Sequence, residues 1–204
     1  FELTGPERRL AALDVTRGTF EEIKDRQARY VELFRGAPGR VLDIGCGRGE
    51  LLVQLRNEGI ECWGADPDPL MVQLCRRRNA SVLQMDGLEA LAMARPATLG
   101  GVFAAQVVEH LFPGELATLL RLARERLAPG ALIVLETINA ASPAAVAKSF
   151  TRDMDHKQAI HPEYLRLLVE LAGFEQVELH YLAPFAPEES LGTPPEELGA
   201  LRRP

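Results

Sequence analysis

Residues 41–50 read "VLDIGCGRGE", and this stretch decides the fold. A short apolar run ends in an acid, Asp43, and Gly45, Gly47 and Gly49 follow at alternate positions. The run reads as a buried strand. The segment after it, "GELLVQLRNEG", reads as a helix closed by Gly59, the residue type that most easily takes a left-handed cap. A bare turn between strand and helix lets backbone approach a ligand with no Cβ in the way. In open α/β sheets ligands gather beyond the carboxyl ends of the strands, so this turn is the expected binding loop.

The pattern repeats outward. "IECWGAD", "SVLQMD", "GGVFAAQVV" and "ALIVLET" read as strands, and "PDPLMVQLCRRRN", "PGELATLLRLARERL" and "HPEYLRLLVELAG" as helices between or after them. Strands alternating with helices imply a parallel sheet covered on both faces. "FEQVELHYLA" alternates apolar and polar residues, as an antiparallel edge strand does. The expectation is an α/β, doubly wound, seven-stranded sheet with that edge strand. Upstream, "TRGTFEEIKDRQARYVELFR" (16–35) has helical periodicity and ends at "GAPGR". The expected organisation is a helical lid over residues 1–36, the ligand-binding domain over 37–183, and a Pro/Glu-rich tail over 184–204.

Composition narrows the class. With 204 residues, 47% hydrophobic and 25% charged, the chain can bury a core without disulfides or metal. A formal net charge of −6 argues against a dedicated nucleic-acid binder. Three widely spaced cysteines form neither a disulfide framework nor a zinc site, which suits a reducing cytoplasm. No transmembrane segment is expected, and both monomer and dimer remain open.

The glycine spacing tests the ligand. The dinucleotide pattern G-x-G-x-x-G needs glycine at position 50 counting from Gly45, or at 52 counting from Gly47; the chain has Glu50 and Leu52. No G-K-[ST] follows, so a P-loop also fails. Asp43 ahead of the loop points to a cationic ligand group. Asp66 ends the second strand, where a carboxylate can accept from both hydroxyls of a ribose. Asp86 ends the third, within reach of an adenine amino group, and Gln106 ends the fourth. S-adenosylmethionine carries an ammonium group and a sulfonium and no phosphate, which fits this set.

At these residues the chain resembles the class I S-adenosylmethionine-dependent methyltransferases. "VLDIGCGRGE", "GADPDP", "QMDG" and "AAQVVEHL" look like four successive motifs of that family, and the resemblance covers roughly residues 16–183. It implies that Asp43 and the three glycines surround the methionine part and that Asp66 holds the ribose. Pro67 would pack on the adenine, and Asp86 and Gly87 would flank its amino group. Arg17, Arg26 and Tyr30, on the lid, would meet the methionine carboxylate. A narrower resemblance joins "TRGTFEEIKDRQARYVELF", "AAQVVEHL" and "FTRDMDHKQAIHPEYLRLLVELAGF" to a bacterial branch associated with cell-surface polysaccharide synthesis. That branch implies a saccharide or phosphosaccharide acceptor.

Methyl transfer to oxygen also needs a group that takes a proton. His110, His156 and His161, three of the four histidines, fall beside the expected crevice. His156 is the first choice for the base, His110 the second, and Asp153 would orient the base by hydrogen bond. Asp153, Asp155, His156 and His161 offer oxygen and nitrogen donors, but such a polar loop is more often solvated than metalled, and no metal is expected. Two other readings stay open: O-methylation of a small metabolite such as a quinone or natural product, and a non-catalytic module that binds the same cofactor. A nicotinamide oxidoreductase is the remaining alternative.

Overall fold

The computed structural model describes residues 5–182. Its sheet has five strands in the order β3-β2-β1-β4-β5, every neighbouring pair parallel. They are β1 (Arg40–Ile44), β2 (Cys62–Asp66), β3 (Val82–Gln84), β4 (Leu99–Ala105) and β5 (Leu127–Glu136). The helices are α1 (Pro6–Arg17), α2 (Phe20–Val31), α3 (Glu50–Asn57), α4 (Pro69–Arg77), α5 (Gly87–Met93), α6 (Pro113–Arg126), α7 (Pro143–Lys148) and α8 (Pro162–Leu171).

Alternation along β1 explains why the sheet is covered twice. Leu42 and Ile44 face a core that takes in Leu91 of α5, Leu116, Leu119 and Leu120 of α6, and Leu165 and Val169 of α8. Val41 faces the other way, to Tyr30 and Val31 of α2, Phe34 after it, and Leu51 and Leu55 of α3. Successive strand residues point to opposite faces, so one apolar strand needs helices on both sides. Phe34 meets Phe103 of β4 edge-on at 6.4 Å, over Gly101, where a Cβ would lie 2.6 Å from the Phe34 ring.

Strand order turns around β1, which lies between β2 and β4. The crevice at such a reversal opens at the carboxyl ends of β1 and β4. Asp43 and the glycine loop stand at one end, Gln106 and the turn behind it at the other.

Four expectations change. The helix expected over 16–35 is two helices: Gly18 adopts φ 103°, and Thr19 starts α2 afresh through a capping box with Glu22. The sheet has five strands among the described residues, not seven. The segment expected as the antiparallel edge strand is not a strand as far as Leu182. No second antiparallel arm lies among the described residues to meet its backbone, and Phe174 and Val177 pack on the core instead. The stretch from 136 to 163 is less loop-like than its composition suggests, because Ser142 caps the short α7 and residues 150–152 form a 3-10 turn. One helix was not expected at all: α5, too short for periodicity to reveal, is capped by Asp86. The expected tail, 184–204, lies outside the described residues.

Candidate functional site

The glycine loop owes its path to backbone that other residues resist. Gly45, Gly47 and Gly49 have φ of 64°, 54° and 83°, all left-handed. The loop then wraps the end of β2: the Gly47 N–H donates to Asp66 Oδ2 at 2.9 Å, and the Asp68 N–H donates to Asp66 Oδ1 at 2.9 Å. Each Asp66 oxygen keeps a free lone-pair direction. Asp66 is thus fixed in place by backbone donors before any ligand arrives.

The loop is rich in buried acid. Asp43 is 3% exposed, Glu50 5% and Asp66 7%. Burial pushes the Asp43 carboxyl well above its usual range, and the neighbouring Cys75, Glu50 and Asp66 add to it. Burial also raises Glu50 and Asp66, against the opposing pull of Arg48 on the first and of backbone N–H groups on the second. Arg48 is the one buried cation among the described residues. It donates to Glu50 at 2.7 Å, to Asp14 at 2.5 Å and to the Gly18 carbonyl at 2.8 Å, so it ties the loop to the junction of α1 and α2. The thiols at Cys46 and Cys62 stay protonated: a hydrogen bond with Cys75 and burial raise the first, and burial pushes the second up to about 11.

The lid residues are placed otherwise than expected. Tyr30 is buried, and its hydroxyl donates to Glu136 Oε2 at the end of β5. Burial first, and then that bond, holds its pKa above the usual phenol value. Arg26 donates to the Arg17 carbonyl at 2.7 Å, across the break between the two helices. Arg17 reaches Asp153 at 3.3 Å and Arg9 reaches Asp68 at 2.6 Å, so α1 is linked to the turn after β2 and to the loop after α7.

Asp86 is exposed and accepts from the Leu88 N–H at 2.7 Å as the N-cap of α5, with Glu89 completing a capping box. Asp86→Ala should lower the unfolding free energy by about 1 kcal/mol in a denaturant titration; an unchanged midpoint would remove the capping role. Gly87 has a packing reason of its own, since a Cβ there would lie 2.1 Å from Ile44. Pro67 is exposed at the turn leading to α4. Gln106 sits at φ 55°. That is a left-handed position, uncommon for a non-glycine residue. Its side chain donates to Glu136 Oε1 at 3.2 Å.

Beyond β4 the chain turns through Val108–His110 and is clamped from outside. The Lys157 and Gln158 N–H groups donate to the Glu109 carbonyl at 2.8 and 3.2 Å, and the Gln158 side chain donates to the Leu111 carbonyl at 2.8 Å. The clamp brings the His110 and His156 rings to 4.6 Å, with His156 stacked on Phe150 at 4.9 Å. His156 Nδ1 lies 2.7 Å from the Phe150 carbonyl and donates to it. In the neutral ring this leaves Nε2 as the acceptor. The orienting partner of His156 is therefore a backbone carbonyl and not Asp153. Asp153 accepts from the Asp155 N–H and pairs with Arg17; burial opposes, but these neighbours and the two histidines hold its carboxyl below the usual range. Burial and His156 lower His110.

His161 is not part of this group. It is exposed and caps α8, its Nδ1 accepting from the Glu163 N–H at 3.3 Å. Glu109 is the member that sequence reasoning missed. It is 1% exposed, burial raises its pKa, and the Thr137 hydroxyl donates to its Oε2 at 2.9 Å. An acid inside the otherwise apolar turn "VVEHL" was the available signal.

The comparisons with known proteins agree with this fold. The model of the methyltransferase domain family matches residues 15–179. A solved SAM-dependent methyltransferase from Archaeoglobus fulgidus is 32% identical, with a TM-score of 0.83, and the match covers 94% of this chain and 88% of that one. A ubiquinone biosynthesis O-methyltransferase of Xanthomonas campestris is 31% identical over 153 residues, 72% of this chain and 59% of the relative. One from Cereibacter sphaeroides is 30% identical over 154 residues, 68% of this chain and 61% of the relative. The chain thus spans about three fifths of the length of these curated relatives. None of the relatives named here is described by the polysaccharide branch that the narrower resemblance implied. Among the described residues, no helix is long and apolar enough to cross a membrane. The chain belongs to the methyltransferase domain family, and its cofactor is S-adenosylmethionine.

Proposed function

We propose that the protein transfers methyl from S-adenosylmethionine to a hydroxyl of a small metabolite of the phenol or catechol class. The carrying observation is the pairing of a buried acidic cradle (Asp43, Glu50 and Asp66 around left-handed glycines) with a clamped histidine pair across the same crevice. The acceptor class is supported by the relatives' names and not by a feature of the crevice. The saccharide alternative has no comparable support.

The cofactor's ammonium group meets Asp43, and Asp66 accepts from both ribose hydroxyls while its other lone pairs hold the loop. Asp86 and Gly87 stand beside the adenine amino group in this binding mode. Glu136, held by Tyr30 and Gln106, closes β5 beside the end of β4. In the reaction the acceptor loses its O–H proton, and an oxygen lone pair attacks the methyl carbon. The carbon–sulfur bond breaks with its electron pair on sulfur. A hydroxyl and a sulfonium become an ether, neutral S-adenosylhomocysteine and one proton. The protein mainly aligns oxygen, carbon and sulfur, and the proton is lost at the His110–His156 pair.

The raised carboxyl of Asp43 makes binding proton-linked. In the free protein it is protonated up to pH values above the ordinary carboxylate range, and a cation beside it lowers its pKa. A group whose pKa falls on binding releases protons. Calorimetric heats for S-adenosylmethionine should therefore change with the ionisation enthalpy of the buffer, in the sense of proton release. Equal heats in phosphate and Tris at one pH would contradict this.

The test of the function is transfer of labelled methyl to a panel of phenols, catechols, sugar nucleotides and glycan fragments. Labelled phenolic ethers are expected. Transfer to saccharides alone would restore the other acceptor class, and cofactor binding without transfer to any acceptor would favour a non-catalytic module.

A further inference from the structure

We infer that Glu109, His110 and His156 form a binding site for one divalent transition-metal cation, at which the acceptor hydroxyl is seated and acidified. The inference rests on the proposed methyl transfer for its purpose and on the geometry of the three side chains for its existence. It departs from the expectation of no metal, and its donor set is not the acid-rich loop that the sequence brought forward.

Three observations carry it. One ligand atom from each residue lies within 4.8 Å of the other two, so modest side-chain adjustment places all three on one ion. Ligands about 2.1 Å from a common metal stand roughly 3–3.5 Å apart. Second, Glu109 Oε1 is buried and has no hydrogen-bond partner, although its sister Oε2 is held by the Thr137 hydroxyl. A buried polar atom left without a partner is costly, and a cation is one remedy. Third, the shell behind the ligands is already built. His156 gives its Nδ1 proton to the Phe150 carbonyl, so the Nε2 lone pair is free for a metal. A ligating histidine typically donates its other ring N–H to a carbonyl or carboxylate in this way. Glu109 is fixed at both ends, by Thr137 at the carboxylate and by Lys157 and Gln158 at the backbone.

The chemistry of the set selects the ion class. Two imidazoles and one carboxylate suit zinc, iron, cobalt or manganese better than magnesium or calcium, which prefer oxygen ligands throughout. Three protein ligands leave coordination positions open, as catalytic sites do and structural sites do not. A hydroxyl bound there loses its proton far more readily than one in water, and a catechol can occupy two open positions at once. With the cation bound, the two imidazoles serve as ligands in place of the free base described above; the proton leaves to solvent, and the metal keeps its oxidation state throughout.

The experiment uses the full chain stripped with chelator and titrated with Co²⁺, followed by calorimetry and by visible absorption. The expected result is one equivalent bound, with ligand-field bands of a mixed nitrogen and oxygen site. His110→Ala, His156→Ala and Glu109→Gln should each weaken Co²⁺ binding by about 100-fold or more, and Thr137→Val by about 10-fold as a positioning change. S-adenosylhomocysteine affinity should stay near normal in all four. The inference is overturned if the unaltered chain binds no Co²⁺ at millimolar concentration, or if the variants bind it as well as the parent. The first criterion needs no variant to fold. Metal binding without methyl transfer would uphold this site and sink the proposed function. Full transfer by metal-free enzyme would do the reverse.

Discussion

Asp66→Asn is expected to weaken S-adenosylhomocysteine binding by about 10²-fold or more. The carboxylate has four acceptor directions. Two are taken by the Gly47 and Asp68 N–H groups, and the other two face the ribose in the proposed binding mode. An amide of the same shape has one oxygen. Whichever way it turns, an NH₂ group points at a backbone N–H, and one ribose hydroxyl loses its acceptor. Hydrogen bonds to a charged group contribute about 1.5–3 kcal/mol each, so losing one and turning another repulsive gives the stated factor. Asp66 is 7% exposed, and water offers little compensation. A stability measurement separates the two effects. The clash with a backbone N–H is present without ligand, so it should lower the unfolding midpoint of the free variant, whereas the lost ribose acceptor is read in binding. Unchanged affinity in a folded variant would remove Asp66 from the ribose site.

His156→Ala is expected to reduce kcat by about 10²–10⁴ with little change in cofactor affinity. The ring is the meeting point of the clamp: it stacks on Phe150, faces His110, and is oriented through Nδ1 by a carbonyl. Removing it takes away the Nε2 acceptor of the pair, and the loss falls on the proton-removal step. His161→Ala provides the contrast. That residue only caps α8, so its loss should cost about 1 kcal/mol of stability and leave kcat within a few-fold. Near-normal turnover in His156→Ala would remove the histidine pair from the chemistry.

These contrasts mark what the sequence could convey. The strand–glycine–helix unit was legible because local chemistry fixes it: left-handed φ at three alternate positions admits little besides glycine, and an acid at a buried strand end has few reasons to be there. The roles of Tyr30 and Asp153 were not legible, because each depends on a partner over a hundred residues away, Glu136 for the first and Arg17 for the second. Glu109 escaped notice for a related reason. Its significance lies in one carboxylate oxygen that the fold buries without a partner, and no spacing rule reports that. The short α5 was hidden by length, since periodicity needs more than two turns to speak. The expected edge strand failed on pairing. Alternation along 174–182 describes a strand only when a neighbour is present to complete the ladder.

The most direct test of the central claim is a calorimetric titration of the full chain with S-adenosylhomocysteine and, separately, with NADH. The account predicts saturable one-to-one binding of S-adenosylhomocysteine, lost in Asp66→Asn, and no binding heat with NADH. Saturable binding of NADH with none of S-adenosylhomocysteine would contradict it.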